Sequence, residues 1–295
     1  MDEPLRIGLV GAGPWARSVH APALADHPGT TLSAVWTRRP EVATAFAAEH
    51  YTRACATFDE LLDEVDAVAF AVPPAVQAGY AVTAAKAGKH LILEKPVADD
   101  VATAARVADA VADAGVAALV VLTLRYALQT REWLDGLAAT GGWAGGNGRW
   151  LSGALLAGQY SGSEWRHSSG ALADIGPHAV DLMDAALGEV TAVRAAHRTA
   201  GDLWHVVLEH NGSATSTLSM SIRLPLRPTV IEFAVYGEHG LRTLNGKPGS
   251  PAEAFTALLD DFAAMIASGV REHPCDVHRG LRLQRILADC LRIAQ

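Results

Sequence analysis

Short apolar runs, separated by stretches of helical periodicity, fill the first 123 residues. Runs at 5–10, 31–37, 65–72, 89–94 and 117–123 read as strands, and helices occupy the segments between them. Val65-Asp66-Ala67-Val68-Ala69-Phe70-Ala71-Val72 and His90-Leu91-Ile92-Leu93 are nearly unbroken apolar stretches. A strand has that composition when both faces of its sheet are covered, as happens where helices cross over between parallel strands. The expectation for this region is an α/β domain on a doubly wound parallel sheet. Ligands bind such sheets beyond the carboxyl ends of the strands, the edge at which Gly11, Thr37, Pro73 and Lys95 would all emerge.

After Arg125 the pattern changes. A glycine-rich stretch at 141–148 precedes alternating segments near 149–157, 190–199, 203–210, 214–222 and 229–237, which read as strands with one covered face. Asn211-Gly212 is a hairpin signal. One helix is expected around 174–187, and terminal helices near 252–268 and 278–293. The second region is thus an α+β domain with a large, open, mostly antiparallel sheet. Its uncovered face makes a homodimer or higher homo-oligomer the expected assembly.

Composition narrows the partners. Half of the 295 residues are hydrophobic and 19% are charged, enough apolar material for two packed domains. A net charge of -8 argues against nucleic acid or an anionic membrane and for a small-molecule ligand. The Ala-rich stretch 97–116 is interrupted by Asp99, Asp100, Arg106, Asp109 and Asp113, so it does not read as a membrane span. Met1-Asp2-Glu3-Pro4 lacks the basic and apolar regions of a signal peptide. Cys55, Cys275 and Cys290 are widely spaced and form no CxxC pair, which indicates neither a disulfide frame nor a zinc site. A cytoplasmic location follows as the expectation.

Several short segments carry candidate chemistry. Gly11-Ala12-Gly13-Pro14-Trp15-Ala16 follows the first strand directly. A glycine turn there, with a proline suited to the first helical position, lets backbone approach a pyrophosphate while the helix start faces the anion. At the end of the second strand Thr37-Arg38-Arg39 stands where an acidic residue would bind a ribose 2′-hydroxyl; two guanidiniums suit a 2′-phosphate, or else form a solvated basic loop.

Only four lysines, at 86, 89, 95 and 247, stand against twenty arginines. A lysine kept in Glu94-Lys95-Pro96 therefore points to work a guanidinium cannot do: an ammonium can shift its pKa, hydrogen-bond a substrate oxygen and exchange a proton. The simpler alternative is a strand-end pair with Glu94. Asp174-Ile175-Gly176-Pro177-His178-Ala179-Val180-Asp181 spaces an acid, an imidazole and an acid along one helical face, where a carboxylate can set the histidine tautomer for proton transfer. Pro177 requires that the helix either begin near 177 or bend there. Nothing nearby completes a metal ligand set, so no metal is expected. Trp165-Arg166 could line a nicotinamide pocket or serve the core, and Arg125 could contact substrate or tie two sheets together. His20, His205, His210 and His239 receive no role.

These segments resemble the Gfo/Idh/MocA family, named for glucose-fructose oxidoreductase, inositol dehydrogenase and a rhizopine-catabolism protein. The glycine turn, Val72-Pro73-Pro74, Glu94-Lys95-Pro96, Trp165-Arg166 and Asp174-x-x-x-His178-x-x-Asp181 occur in that family's order, over the whole chain. The resemblance implies a dinucleotide-binding Rossmann domain at 1–123 and a substrate-binding α+β domain at 124–295. It also implies a nicotinamide cofactor and hydride transfer at a secondary alcohol or ketone of a sugar, cyclitol or similar polyol. Carried over residue by residue, Lys95 touches the reacting oxygen, His178 accepts or donates its proton, and Asp174 orients the substrate or the imidazole. Gly11, Gly13, Pro14, Trp15, Thr37, Arg38, Arg39, Pro73, Pro74, Gln77, Glu94, Lys95, Trp165 and Arg166 would hold the cofactor, with 73–77 beside the nicotinamide. Two positions depart from the pattern: Ser168-Ser169-Gly170 keeps one glycine where many relatives carry several, and Gln77 stands where a histidine is common. The expected activity is that of an NADP-preferring dehydrogenase or reductase, with NAD as the second candidate cofactor. The alternatives are a non-catalytic nucleotide-binding sensor of the same fold, or a dehydrogenase of an aromatic dihydrodiol or an imine.

Overall fold

A computed structural model describes residues 3–158 and 160–295; the reading of Met1-Asp2 lies outside them. The first sheet consists of β1 (Leu5–Val10), β2 (Thr30–Trp36), β3 (Arg53–Ala54), β4 (Ala67–Phe70), β5 (His90–Leu93) and β6 (Ala118–Val120). Every pairing is parallel and the spatial order is β3-β2-β1-β4-β5-β6. The five apolar runs read from sequence are β1, β2, β4, β5 and β6, while the two-residue edge strand β3 was not expected; Ala67, Val68, Ala69, Phe70, Leu91, Ile92 and Leu93 are all fully buried. Helices α1 (Ala21–Asp26), α2 (Pro40–Glu49), α3 (Phe58–Glu64), α4 (Pro74–Lys86) and α5 (Val101–Ala114) alternate with the strands. Side-chain caps start two of them, Thr57 accepting from Glu60 N at 3.0 Å and Asp100 from Thr103 N at 2.7 Å. Strand order reverses between β1 and β4, which makes their carboxyl ends the switch point of the sheet.

The second sheet contains β7 (Trp143–Leu151), β8 (Val190–Arg198), β9 (Trp204–His210), β10 (Thr215–Ser221), β11 (Val230–Gly237) and β12 (Gly240–Asn245), in the order β12-β11-β7-β10-β9-β8. Only the central β7–β10 pairing is parallel. The sequence pattern places the first strand at 149–157, after the glycine run, whereas the run itself is the middle strand of the sheet. Packing explains the glycines: a β-carbon on Gly148 would lie 2.7 Å from Leu218 Cδ2 and 2.8 Å from Phe233 Cδ1, and one on Gly146 would lie 2.7 Å from the Ala234 carbonyl oxygen. β12 was not expected from the pattern either; its residues are mostly exposed, and Leu244 supplies its one buried side chain.

Helices α6 (Thr123–Tyr126), α7 (Leu128–Thr140), α8 (Glu164–Asp174) and α9 (Gly176–Leu187) lie between β6 and β8 in sequence. The helix expected at 174–187 is α9, which starts two residues later, whereas α8, which ends at Asp174, was not expected from the pattern. α10 (Pro251–Ser268) and α11 (Val277–Ile293) close the chain.

The chain divides into two compact units, one formed by 1–122 with 251–281 and the other by 123–250 with 282–295. The sequence reading puts one boundary near 123, but α10 returns to the first unit. There it buries Phe255, Leu258, Leu259 and Phe262 completely, with Phe255 against His20 and Phe262 against His90. An amphipathic helix needs an apolar surface but carries no sign of which sheet supplies it, so this return is invisible in the pattern. Among the described residues no helix is long and apolar enough to cross a membrane.

Candidate active site

In the first unit the residues singled out by sequence gather at the carboxyl edge of the sheet. Gly11 has φ of +109°, and a β-carbon there would lie 2.5 Å from the Ala71 carbonyl oxygen, so both the conformation and the close pass to the strand-β4 exit demand glycine. At Gly13 a β-carbon would meet nothing within 4 Å. Strand, turn and helix start therefore leave open space in front of backbone at the sheet's switch point, the shape a diphosphate requires. Pro14 opens the helical segment, which passes through a π-helical turn over Ala16–His20 before α1.

At the end of β2 the Thr37 hydroxyl donates to the Arg39 carbonyl at 2.7 Å and accepts from Arg39 N at 3.2 Å, shaping the turn that carries Arg38 and Arg39. Both arginines are exposed, and among the described residues neither makes an ion pair. Pro73 and Pro74 stand half-buried at the start of α4, the latter at its first position.

Glu94 and Lys95 emerge half-buried from β5, followed by a cis Lys95–Pro96 peptide. The Glu94 carboxylate accepts from the Trp15 indole N–H at 2.6 Å and lies 3.0 Å from Nε2 of His20. Because a carboxylate oxygen only accepts, that Nε2 carries the proton. Gln77, fully buried, grips the same segment from beneath. Its Oε1 accepts from Glu94 N at 2.8 Å, and its Nε2 donates to the carbonyls of Glu94 at 2.8 Å and Val97 at 3.0 Å.

The second unit carries the other candidates. α8 ends at Asp174 and α9 begins at Gly176 with Pro177 in its first turn, so the helix begins near 177, and only His178 and Asp181 share it. α9 is buried on nearly every side. His178, 5% exposed, faces the Trp150 ring at 5.7 Å between centroids. Both flanking acids stand beside arginines: Asp174 Oδ1 is 3.3 Å from Arg166 Nε, and the Asp181 carboxylate accepts from Arg125 Nη1 at 3.2 and 3.4 Å. Arg125 thus ties α6 to α9. The Arg166 guanidinium lies over the rings of Tyr160 at 4.3 Å and Trp165 at 4.5 Å, which fixes it beside Asp174.

Two comparisons with known proteins decide the family. Residues 5–122 match the Gfo/Idh/MocA oxidoreductase family's NAD-binding Rossmann fold, and residues 146–242 match the Gfo/Idh/MocA C-terminal domain. The chain belongs to the Gfo/Idh/MocA family. A dTDP-3,4-didehydro-2,6-dideoxy-alpha-D-glucose 3-reductase of Saccharopolyspora spinosa is 34% identical over 108 residues, covering 36% of this chain and 32% of that protein. The chain thus aligns with about a third of the length of the curated relatives it matches. Among solved structures, GenD2 from gentamicin A biosynthesis, in complex with NAD, superposes with a TM-score of 0.85 at 22% identity, over 100% of this chain and 95% of that one. Levoglucosan dehydrogenase, in complex with NADH and levoglucosan, gives 0.86 at 21% identity, over 99% and 97%.

Within this family member, sequence reasoning passed over two groups. His20 is fully buried on the Glu94 carboxylate, although nothing in its neighbourhood distinguishes it from a surface histidine. Asp202, 2% exposed with φ of +62°, accepts from Ala171 N at 2.7 Å and from the Trp204 indole at 3.1 Å, and so holds the segment leading to Asp174. The lone glycine of Ser168-Ser169-Gly170 was the available signal, because a single retained glycine marks a backbone position with no substitute.

Proposed function

We propose that this chain is an NADP-preferring oxidoreductase that transfers hydride between nicotinamide and a secondary alcohol or ketone carbon of a sugar, cyclitol or related polyol. The observation that carries the reading is that the Gly11–Gly13 turn, the Arg38-Arg39 turn and Lys95 lie on one edge of the first sheet, the glycine turn at its switch point and the other two on the neighbouring strands to either side. Relatives named for acting on deoxysugars and on galactose favour a hexose-like carbinol.

When bound, the nicotinamide would supply or accept the hydride. The chain's own residues manage everything else. Gly11 and Gly13 would let the diphosphate approach backbone, and Arg38 and Arg39 would hold the 2′-phosphate. Lys95 donates a hydrogen bond to the reacting oxygen and favours its deprotonated form. His178 takes the hydroxyl proton in the oxidative direction and returns it in the reductive one, and Asp174 with Arg166 sets the orientation around it. The outward face of the second sheet, with Tyr236 and Leu241 exposed, fits association of two copies.

The test is nicotinamide absorbance during incubation of purified protein with NADP or NADPH and a panel of polyols, sugars, keto sugars and nucleotide-linked hexoses. Turnover with at least one of them is expected, and Lys95→Met should lower it by about 10²- to 10⁴-fold with nucleotide affinity retained. Tight nucleotide binding with no absorbance change across the panel would instead favour a sensor.

A further inference from the structure

Lys95 sits in a segment gripped from two sides, and the grip uses side chains whose identity matters. From beneath, the Gln77 amide satisfies three backbone groups at once: it accepts from Glu94 N and donates to the carbonyls of Glu94 and Val97. No aliphatic side chain of that size can do so, and in a fully buried position backbone groups left without a partner cannot turn to water. From the side, the Glu94 carboxylate accepts from Trp15 at 2.6 Å and from His20 at 3.0 Å. Trp15 directly follows the Gly13-Pro14 turn. His20 is itself locked, fully buried against Phe255 with 4.4 Å between ring centroids.

The residues on both sides of the Lys95 Cα are therefore held by groups from α4 and from the helical segment after the glycine turn. We infer that Gln77 and Glu94 are positioning residues that together brace Lys95. Glu94 also links the amine to the turn that would receive the diphosphate. This deepens the proposed function and rests on its reading of Lys95 as the group touching the reacting oxygen. Gln77 acts from below the segment, through Lys95, and Glu94 contributes through its neighbours.

The small lysine complement makes a substrate-free test possible, because each amine can be followed separately. Lys86 and Lys247 are exposed and serve as internal references. The protein is acetylated with trace isotopically labelled acetic anhydride, unfolded and fully acetylated with unlabelled reagent, and each lysine peptide is read by mass spectrometry across a pH series. Gln77→Leu and Glu94→Leu should each raise Lys95 labelling relative to Lys86 and Lys247 by about threefold or more, as local opening exposes the amine. Glu94→Gln removes the same charge but keeps an acceptor for Trp15, so its Lys95 labelling should stay within about twofold of the parent protein.

Should Gln77→Leu fail to fold, the half-buried Glu94 pair carries the test alone. Lys95 labelling that stays at the parent level in Glu94→Leu, and in Gln77→Leu where it folds, overturns the brace, and so does a Glu94→Gln rise as large as that of Glu94→Leu. So does a rise shared equally by Lys86 and Lys247, which would mean general loosening. None of these readings needs turnover, so an intact brace in a protein inactive on every substrate would count against the oxidoreductase reading only.

Discussion

The Asp202 carboxylate occupies the space that a side chain on residue 170 would need: a β-carbon built on Gly170 would lie 2.5 Å from Oδ1 and 2.7 Å from Oδ2. Gly170 has φ of +70° and ψ of -165°, a conformation essentially confined to glycine, and it interrupts α8 four residues before Asp174. The same Oδ1 of Asp202 accepts from Trp204 and Arg198, which belong to the two strands of the β8–β9 hairpin. The second sheet thereby sets the angle at which α8 delivers Asp174 toward α9.

Gly170→Ala should accordingly cost about 2–4 kcal/mol of stability, the sum of backbone strain and the clash. Urea unfolding measures the loss. In an Asp202→Ala background the clash disappears while the strain stays, so the second substitution should cost less than it does in the parent protein. Equal costs in the two backgrounds would remove the steric part of this account.

How much of this was legible beforehand depended on the range of the interaction. β1, β4 and β5 were readable because burial on both faces leaves its mark in consecutive residues, and the glycine turn because φ of +109° at Gly11 selects a residue type. The glycines of β7 misled, because a pattern reader treats Gly145, Gly146 and Gly148 as loop, whereas each is set by a side chain or carbonyl tens of residues away. Asp174 and His178 were spaced as on one helical face, with Pro177 requiring a helix start near 177 or a bend; the start is what forms, and it leaves Asp174 outside α9. His20 and Asp202 act through partners 74 and 31 residues distant, and no local periodicity encodes such a contact.

Arg38 and Arg39 should decide cofactor choice. Replacing both with serine should weaken NADP binding by about 10- to 100-fold, the scale of losing charge-assisted bonds to one phosphate, and leave NAD affinity within about twofold. Fluorescence titration with each nucleotide at two salt concentrations checks this, and the NADP affinity should lose most of its salt dependence in the variant. Equal tightness for NAD and NADP in the parent protein would sink the preference.

The Arg125–Asp181 pair predicts a strong asymmetry between single and double substitutions. Their side chains are 14% and 1% exposed, so Asp181→Leu leaves a guanidinium in a site built for a pair and should cost about 3–5 kcal/mol. Arg125→Met combined with Asp181→Leu should recover most of that loss. Unfolding free energies of the four proteins give the coupling directly, and additive costs would mean that the pair contributes nothing as a pair.

Stability should also fall on the mildly acid side of neutrality because of His90. Its Nδ1 accepts from Ala117 N at 2.9 Å, joining β5 to the segment entering β6, and an imidazolium has no lone pair left for that bond. Burial, with help from the nearby Arg271 charge, lowers the pKa of this group below its ordinary value. The unfolded chain therefore binds the proton first. The contribution is complete above about pH 6.5 and is lost as the pH falls toward the folded-state value, with a slope of at most about 1.4 kcal/mol per pH unit for one group. His210, lowered by burial as well, adds in the same direction. Urea midpoints measured between pH 8 and pH 5 should show the decline, and His90→Asn, which places an uncharged acceptor near the Nδ1 position, should flatten it in part. A variant whose midpoints decline as steeply as those of the parent would assign the acid sensitivity to other groups.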